Sequence, residues 1–377
     1  MLGSQDQQYT SRRRKARSPN LQIHQTAIKI FPTFANYPIL IQNSVKMFFK
    51  TAYEPYESGL SEFIRYSLSL FIVFLGYFLG QIPFMIVVYA QLAERDGAVT
   101  GSALEDFASN INFASIGLDA NTGFVLLLLS FVVGLLGLWF CLAIIHKRPL
   151  KTLITPYKNI RWSRVGFGFG VWFGMIAVLE VLSYFISPET YQFQLEWKTW
   201  LPLVAIALLI MPMQTSFEEL LFRGYLLQGL GLATNSRLVA LVITSVLFGG
   251  MHLFNPEIQE FGLLLMMPYY IGMGLFLGIL TLMDESLELA LGIHAANNIF
   301  GAVFVTFAGS ALQTDAVFRV TEVNTTFMIP VFFLMAGVFI YLCVRKYGWN
   351  DWSKIYGPIR SRWVEEEDLR IEDNLVI

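Results

Sequence analysis

Charge is what this 377-residue sequence has least of. Asp, Glu, Lys and Arg together make up 14% of it, where a soluble domain carries roughly 25%. That is too little to coat a soluble surface. Cysteine is nearly absent as well: Cys141 and Cys343 are the two, each inside an apolar run, which excludes a disulfide-stapled secreted scaffold. Basic residues are not in excess, the net charge being −2, so no nucleic acid is expected as a partner. What is abundant is apolar: 55% of residues belong to the set AVILMFWYC, and mean hydropathy is +0.54. A disordered chain would have the opposite bias. The composition is that of an integral membrane protein, with the lipid bilayer as its first partner.

A membrane helix needs about 20 mostly apolar residues, because hydrocarbon offers no partner to a backbone polar group. Seven stretches meet this: about 64–90, 124–145, 165–186, 237–252, 262–283, 287–308 and 327–344. An eighth starts at Trp200 and is interrupted by charge from Glu218; its first part is too short to span, so it is extended to about 230 with charged residues inside the membrane. The expected fold is therefore all-α, a polytopic bundle of about eight transmembrane helices with an intramembrane catalytic cavity. Residues 1–60 form a polar and basic tail, 61–346 the bundle, and 347–377 a second tail.

Loop charges give the orientation. Lys147, Arg148, Lys151, Lys158, Arg161 and Arg164 follow the second span with no acid between them, which marks a cytoplasmic loop. The first loop sets Glu94, Asp96, Glu105, Asp106 and Asp119 against Arg95 alone, and the connection at Glu257 and Glu260 has no basic residue; both read as external. Lys46, Lys50, Arg65, Arg345 and Lys346 flank the outermost spans. Eight spans with both termini cytoplasmic satisfy every loop, and the expected location is the cell membrane, multi-pass. The basic cluster from Arg12 to Arg17 reads as a solvated tail obeying the charge rule or as an attachment to anionic lipid, and the acidic stretch from Glu365 to Asp373 as a solvated end.

Titratable groups at membrane depth are costly and are candidates for function. They are Glu180, Glu218, Glu219, Arg223, His252 and His294, with Glu288 near a span end; of the other histidines, His24 lies in the tail and His146 beside Lys147. Three short patterns organise them. In Glu218-Glu219-Leu220-Leu221-Phe222-Arg223, Arg223 is one turn from Glu219 and can pair with it, while Glu218 points about 100° away and is free for another task. In Phe248-Gly249-Gly250-Met251-His252, Phe248 can wall the imidazole. In His294-Ala295-Ala296-Asn297-Asn298, His294 and Asn298 share a face. A hairpin at 233–235 puts Glu218 and His252 at nearly the same level, and His294 can join them from a third helix. Alone, Glu219–Arg223 is a structural ion pair and His252 a helix-to-helix hydrogen bonder; together, the three patterns describe a site. Glu180 belongs to none of them, and either lines the cavity or a substrate path or pairs with a neighbour across helices.

At these residues the sequence resembles the CPBP family of intramembrane proteases, which includes the type II CAAX prenyl endopeptidases and bacteriocin-processing or self-immunity proteins. The family pattern EExxxR, FxxxH, HxxxN is met by Glu218-Glu219…Arg223, Phe248…His252 and His294…Asn298, and the resemblance covers about residues 200–305. It implies an intramembrane endopeptidase in which Glu218 and His252 activate water, His294 and Asn298 stabilise the oxyanion, and Glu219, Arg223 and Phe248 support them. Those residue types suit peptide hydrolysis, which needs a base for water and donors for a developing oxyanion. The substrate would be a membrane-associated peptide or protein, including the CAAX type, reaching the site from the cytoplasmic side. The label metalloendopeptidase is attached to the family, and Glu218, His252 and His294 would supply a His₂Glu zinc set; with no HExxH helix present, a mechanism without a metal cofactor is expected.

Two other functions compete: a non-catalytic, bacteriocin-immunity-like membrane protein or scaffold that keeps the motifs, and a proton-coupled transporter. The transporter requires repeat symmetry with broken helices in both halves, which the sequence lacks. Because residues 1–46 contribute no span and no motif, translation is expected to start at Met47. Mass spectrometry of the purified N-terminus checks this, and a peptide from residues 21–46 would overturn it.

Overall fold

The computed structural model describes residues 48–52 and 59–359. His24, the basic cluster at Arg12, Lys46, Met47 and the acidic C-terminal stretch lie outside the described residues. The rest is a helical bundle with a small sheet at one end. Among the described residues, six helices are long and apolar enough to cross a membrane. They are α1 (Gly59–Asp96), α3 (Ala120–Ile144), α5 (Trp162–Ile186), the continuous run Trp197–Thr234, α11 (Leu263–Asp284) and α13 (Thr325–Tyr347). The run Trp197–Thr234 is built from α6 (Trp197–Leu209), α7 (Met211–Glu219), a π-helical stretch Leu220–Leu226, and α8 (Leu227–Thr234). The extension of a short apolar stretch through Glu218 and Glu219 is thus one helix of 38 residues.

The other two expected spans are short. α9 (Arg237–Met251) has 15 residues, and α12 (Glu288–Val303) has 16 rather than running on to 308. Past Val303 the β-branched Val305 and Thr306 are taken into a strand, β2 (Val305–Phe307), instead of a last helical turn. β2 pairs in parallel with β3 (Phe318–Val320), whose other edge pairs antiparallel with β1 (Tyr191–Phe193). Short helices complete the ends: α2 (Gly101–Asn110), α4 (Lys151–Ile154), α10 (Pro256–Phe261) and α14 (Ser353–Tyr356).

Helix ends follow local chemistry. Asp119 caps α3 by accepting from the Thr122 amide at 2.8 Å, and Ser236 caps α9 from Val239 at 3.2 Å. Asn235, at φ +52, makes the left-handed turn between α8 and α9.

The two ends of the bundle differ. One gathers the loops rich in Lys and Arg, and there Arg161 joins Asp284 and Glu288, each at 2.6 Å, and also Ser286. Arg237 pairs with Glu285 at 2.9 Å, both buried. Glu288, a functional candidate in the sequence, is therefore the partner of Arg161. A wedge of residues 48–51 fills this end: Phe48 and Phe49 are fully buried, the Phe48 amide donates to Glu285 and Thr51 Oγ1 donates to the Thr152 carbonyl. The chain after α13 packs there too, through Trp349 and Ile359. His146 is likewise interior, its Nε2 within 2.9 Å of the Tyr225 hydroxyl. The opposite end carries the sheet, α2 and α10.

α12 is held most tightly by α5. A Cβ on Gly168 would sit 2.6 Å from the Leu289 carbonyl oxygen, and one on Gly292 would sit 2.8 Å from the Phe169 nitrogen. Glycine is required at this crossing because the two backbones touch. Gly292→Leu is expected to destabilise the bundle by ~1–3 kcal/mol through overpacking, read as a lower thermal midpoint in detergent.

Candidate active site

The four-helix set α5, α7, α9 and α12 brings the three sequence patterns to one place. Glu218 and Glu219 end α7, where the hydrogen-bonding widens into the π-helical stretch. Such stretches often mark functional sites, since they turn consecutive side chains off the regular face. Arg223 lies inside it and donates to Glu219 Oε1 at 2.8 Å, as the spacing predicts; both are buried. Arg223 also lies 4.0 Å above the Phe248 ring, so a fixed charge and an apolar wall share one aromatic face.

His294 links the two carboxylates. Its Nδ1 lies 2.6 Å from Glu219 Oε1, and its Nε2 lies 3.4 Å from Glu218 Oε2. Glu219, paired with Arg223, serves as an acceptor, so the Nδ1–H donates to it and Nε2 is the nitrogen turned to Glu218. The two glutamates differ in surroundings: Glu219 is fully buried, while the Glu218 side chain retains 13% exposure. Glu218 is the carboxylate that a substrate or a water can reach.

His252 directly follows α9, and its Nδ1–H donates to the Phe248 carbonyl at 2.8 Å. That fixes the tautomer and leaves Nε2 as an acceptor. Phe248 walls the imidazole, with ring centroids 4.7 Å apart, and Tyr270 of α11 stacks on it at 4.2 Å. Glu218, His294 and Arg223 are within electrostatic reach of His252.

Asn298 meets the site through a residue absent from the sequence patterns. Its Nδ2 donates to Gln214 Oε1 at 3.1 Å, and Gln214 Nε2 donates to Glu218 Oε1 at 2.7 Å. Upstream, Asn297 Nδ2 donates to Asn298 Oδ1 at 3.2 Å, and Trp172 Nε1 donates to Asn297 Oδ1 at 3.4 Å. Hydrogen bonds thus run from Trp172 through Asn297, Asn298 and Gln214 to Glu218, and from His294 and Arg223 to Glu219, with His294 Nε2 in ion-pair range of Glu218 between the two sets. Gln214 was legible in principle, as a buried amide one helical turn before Glu218. Tyr270 and Trp172 come from elements without a motif, and spacing carries no signal for them.

Glu180 stands apart. It accepts a hydrogen bond from the Tyr191 hydroxyl at 2.6 Å, a partner on β1 rather than on another helix. Burial and the bond to Glu180 push the Tyr191 phenol up to about 12.

The residues do not assemble as a zinc site. Among the described residues no three His, Cys, Asp or Glu side chains are grouped to hold a metal ion.

The model of the Rce1-like family, type II CAAX prenyl endopeptidases, matches residues 197–300, which span all three patterns. The uncharacterized protein YyaK of Bacillus subtilis (strain 168) is 35% identical over 211 residues, 54% of this chain and 70% of YyaK. No solved structure matches the chain.

Removing Arg223 strands the Glu219 carboxylate in the interior. Arg223→Met is expected to cost ~3–5 kcal/mol, with partial recovery in the double variant Glu219→Gln/Arg223→Met, measured by thermal unfolding in detergent.

Proposed function

The chain belongs to the Rce1-like family of type II CAAX prenyl endopeptidases, and on that premise we propose that it is an intramembrane endopeptidase working by glutamate-activated water. At family level it is a CAAX-type membrane protease; the mechanism and its residues are our reading. The observation that carries it is that Gln214 hydrogen-bonds both Glu218 and Asn298 while His294, hydrogen-bonded to Glu219, faces Glu218 with its other nitrogen. A structural ion pair needs only Glu219 and Arg223. The partly exposed Glu218, with its own orienting amide, is surplus to packing and fits a base.

Glu218 takes a proton from a water that His252 Nε2 helps to hold, and the resulting hydroxide attacks the scissile carbonyl carbon. The oxyanion accepts from the Nε2–H of a doubly protonated His294, whose Nδ1–H stays on Glu219, and from the second N–H of Asn298, the first being committed to Gln214. Collapse of the tetrahedral intermediate breaks the C–N bond, and the proton on Glu218 passes to the leaving amine. Glu219 and Arg223 orient His294, and Phe248 and Tyr270 hold the His252 ring. No step uses a metal. The substrate is a peptide bond in a membrane-associated peptide or protein, and the protein sits in the cell membrane with the basic end, and both termini, cytoplasmic.

Glu218→Ala is expected to lower peptide cleavage by at least about 10²–10⁴-fold while leaving the protein folded and inserted. Comparative membrane proteomics of wild type and variant should reveal the accumulated substrate. Activity should survive a chelator, with no stoichiometric zinc in the pure active protein. A biological effect that persists in Glu218→Ala would mean that catalysis is not the function.

A further inference from the structure

The basic end of the bundle is closed directly beneath the site. Residues 280–290, which end α11, turn and begin α12, are buried without exception. They are covered by the Phe48–Phe49 wedge and locked by the pairs Arg161–Asp284, Arg161–Glu288 and Arg237–Glu285. His294 is only six residues from Glu288, but that short path runs through packed protein.

Towards the other end the same helices loosen. His252 is the first residue beyond α9, and Phe254, two residues on, is 91% exposed. Tyr270 lies seven residues from the start of α11 and 14 from its basic end, or ~10 Å against ~21 Å at helical rise. Asn297 and Asn298 are half-buried where His294 is buried. Gly301 gives the direction. It is seven residues after His294, so it stands on the same helix face two turns further from the basic end, flanked by Asn297 and Asn298. A Cβ built on Gly301 meets no atom within 4 Å, whereas one on Gly292, at the closed end of the same helix, is jammed against α5. The catalytic stripe of α12 faces packed protein below and open space above.

Charge orients that opening. The closed end carries Lys147, Arg148, Lys151, Lys158, Arg161, Arg164, Arg345 and Lys346, whereas the open end has Arg95, Lys198 and Arg319 among Glu94, Glu105, Asp106, Glu189, Glu260 and Glu322. The excess of Lys and Arg marks the cytoplasmic side.

The geometry points to a site reached from the extracytoplasmic side, so that its substrates are peptide segments presented in or above the outer leaflet rather than C-termini in the cytoplasm. This replaces the cytoplasmic approach expected from the sequence, and it rests on the protease reading for the word substrate but not for the direction of access. A peptide that has crossed the bilayer, or the extracytoplasmic flank of a membrane-anchored protein, is the chemical class that can reach Glu218.

Site-directed labelling of the full chain tests this without requiring proteolysis. Gly301→Cys marks the open stripe and Lys158→Cys the basic end; Cys141 and Cys343, both buried, give the unlabelled baseline. With a membrane-impermeant maleimide on intact cells, Gly301→Cys is expected to label and Lys158→Cys to label only after permeabilisation. Pre-labelled Gly301→Cys should then lose at least about tenfold in peptide cleavage, while unlabelled protein keeps it. Labelling of Gly301→Cys only from the cytoplasmic side, or from neither side, would overturn the proposal whether or not the chain is a protease. Correct labelling with no cleavage by any form would leave the direction of access standing and sink the protease reading instead.

Discussion

A charged side chain inside a bilayer has no solvent to fall back on, so its partners must be built into the protein. In this chain that constraint fixes the Glu219 carboxylate, which takes hydrogen bonds from Arg223 on its own helix and from His294 on another. Everything around the site follows from satisfying that one group. Arg223 reaches it from one helical turn away and lies over the Phe248 ring. His294 is anchored through Nδ1, which aims its other nitrogen at Glu218. The buried pair does not provide chemistry directly. It sets the position and tautomer of the group that does.

The second carboxylate shows how two adjacent glutamates are separated into different roles. Successive residues of a helix diverge by about 100°, so Glu219 turns inward to the ion pair while Glu218 faces Gln214 and the less buried side of His294. Gln214 then couples Glu218 to Asn298 across helices. A neutral amide suits this position, since it donates to one partner and accepts from the other without adding a charge that would itself need burying.

Much of this was legible in the sequence. The intramembrane Glu, Arg, His and Asn are conspicuous against apolar runs, and residues four apart on a helix pair as expected: Glu219 with Arg223, and Phe248 with His252. The link between His294 and Glu219 was not, because it joins residues 75 apart in sequence and depends on how α7 and α12 cross. Tyr270 and Trp172 were hidden for the same reason: an aromatic side chain in an apolar helix looks alike whether it packs a core or stacks on a catalytic imidazole. Length misled at α12. Apolarity continues past Val303, yet the backbone leaves the helix there because β3 offers strand pairing.

The two histidines of the site belong to the two shortest expected spans, His294 within α12 and His252 just past α9, and this bears on why the ends of the bundle differ. At 1.5 Å per residue, α9 and α12 are ~22 and ~24 Å long, against a hydrocarbon core of about 30 Å. Helices that short bring backbone termini and their loops below the membrane surface, where every exposed polar group needs a partner. At the basic end the protein supplies those partners through Arg161, Arg237 and the Phe48–Thr51 wedge, and the result is a closed floor. At the other end the loop after His252 and the strands after Val303 leave the site half-covered. Had both ends been sealed, the site would be a structural knot with no route for substrate or water. Had both been open, the ion pair on Glu219 would lose its dry surroundings. A closed floor beneath a reachable Glu218 keeps the ion pair and the access together.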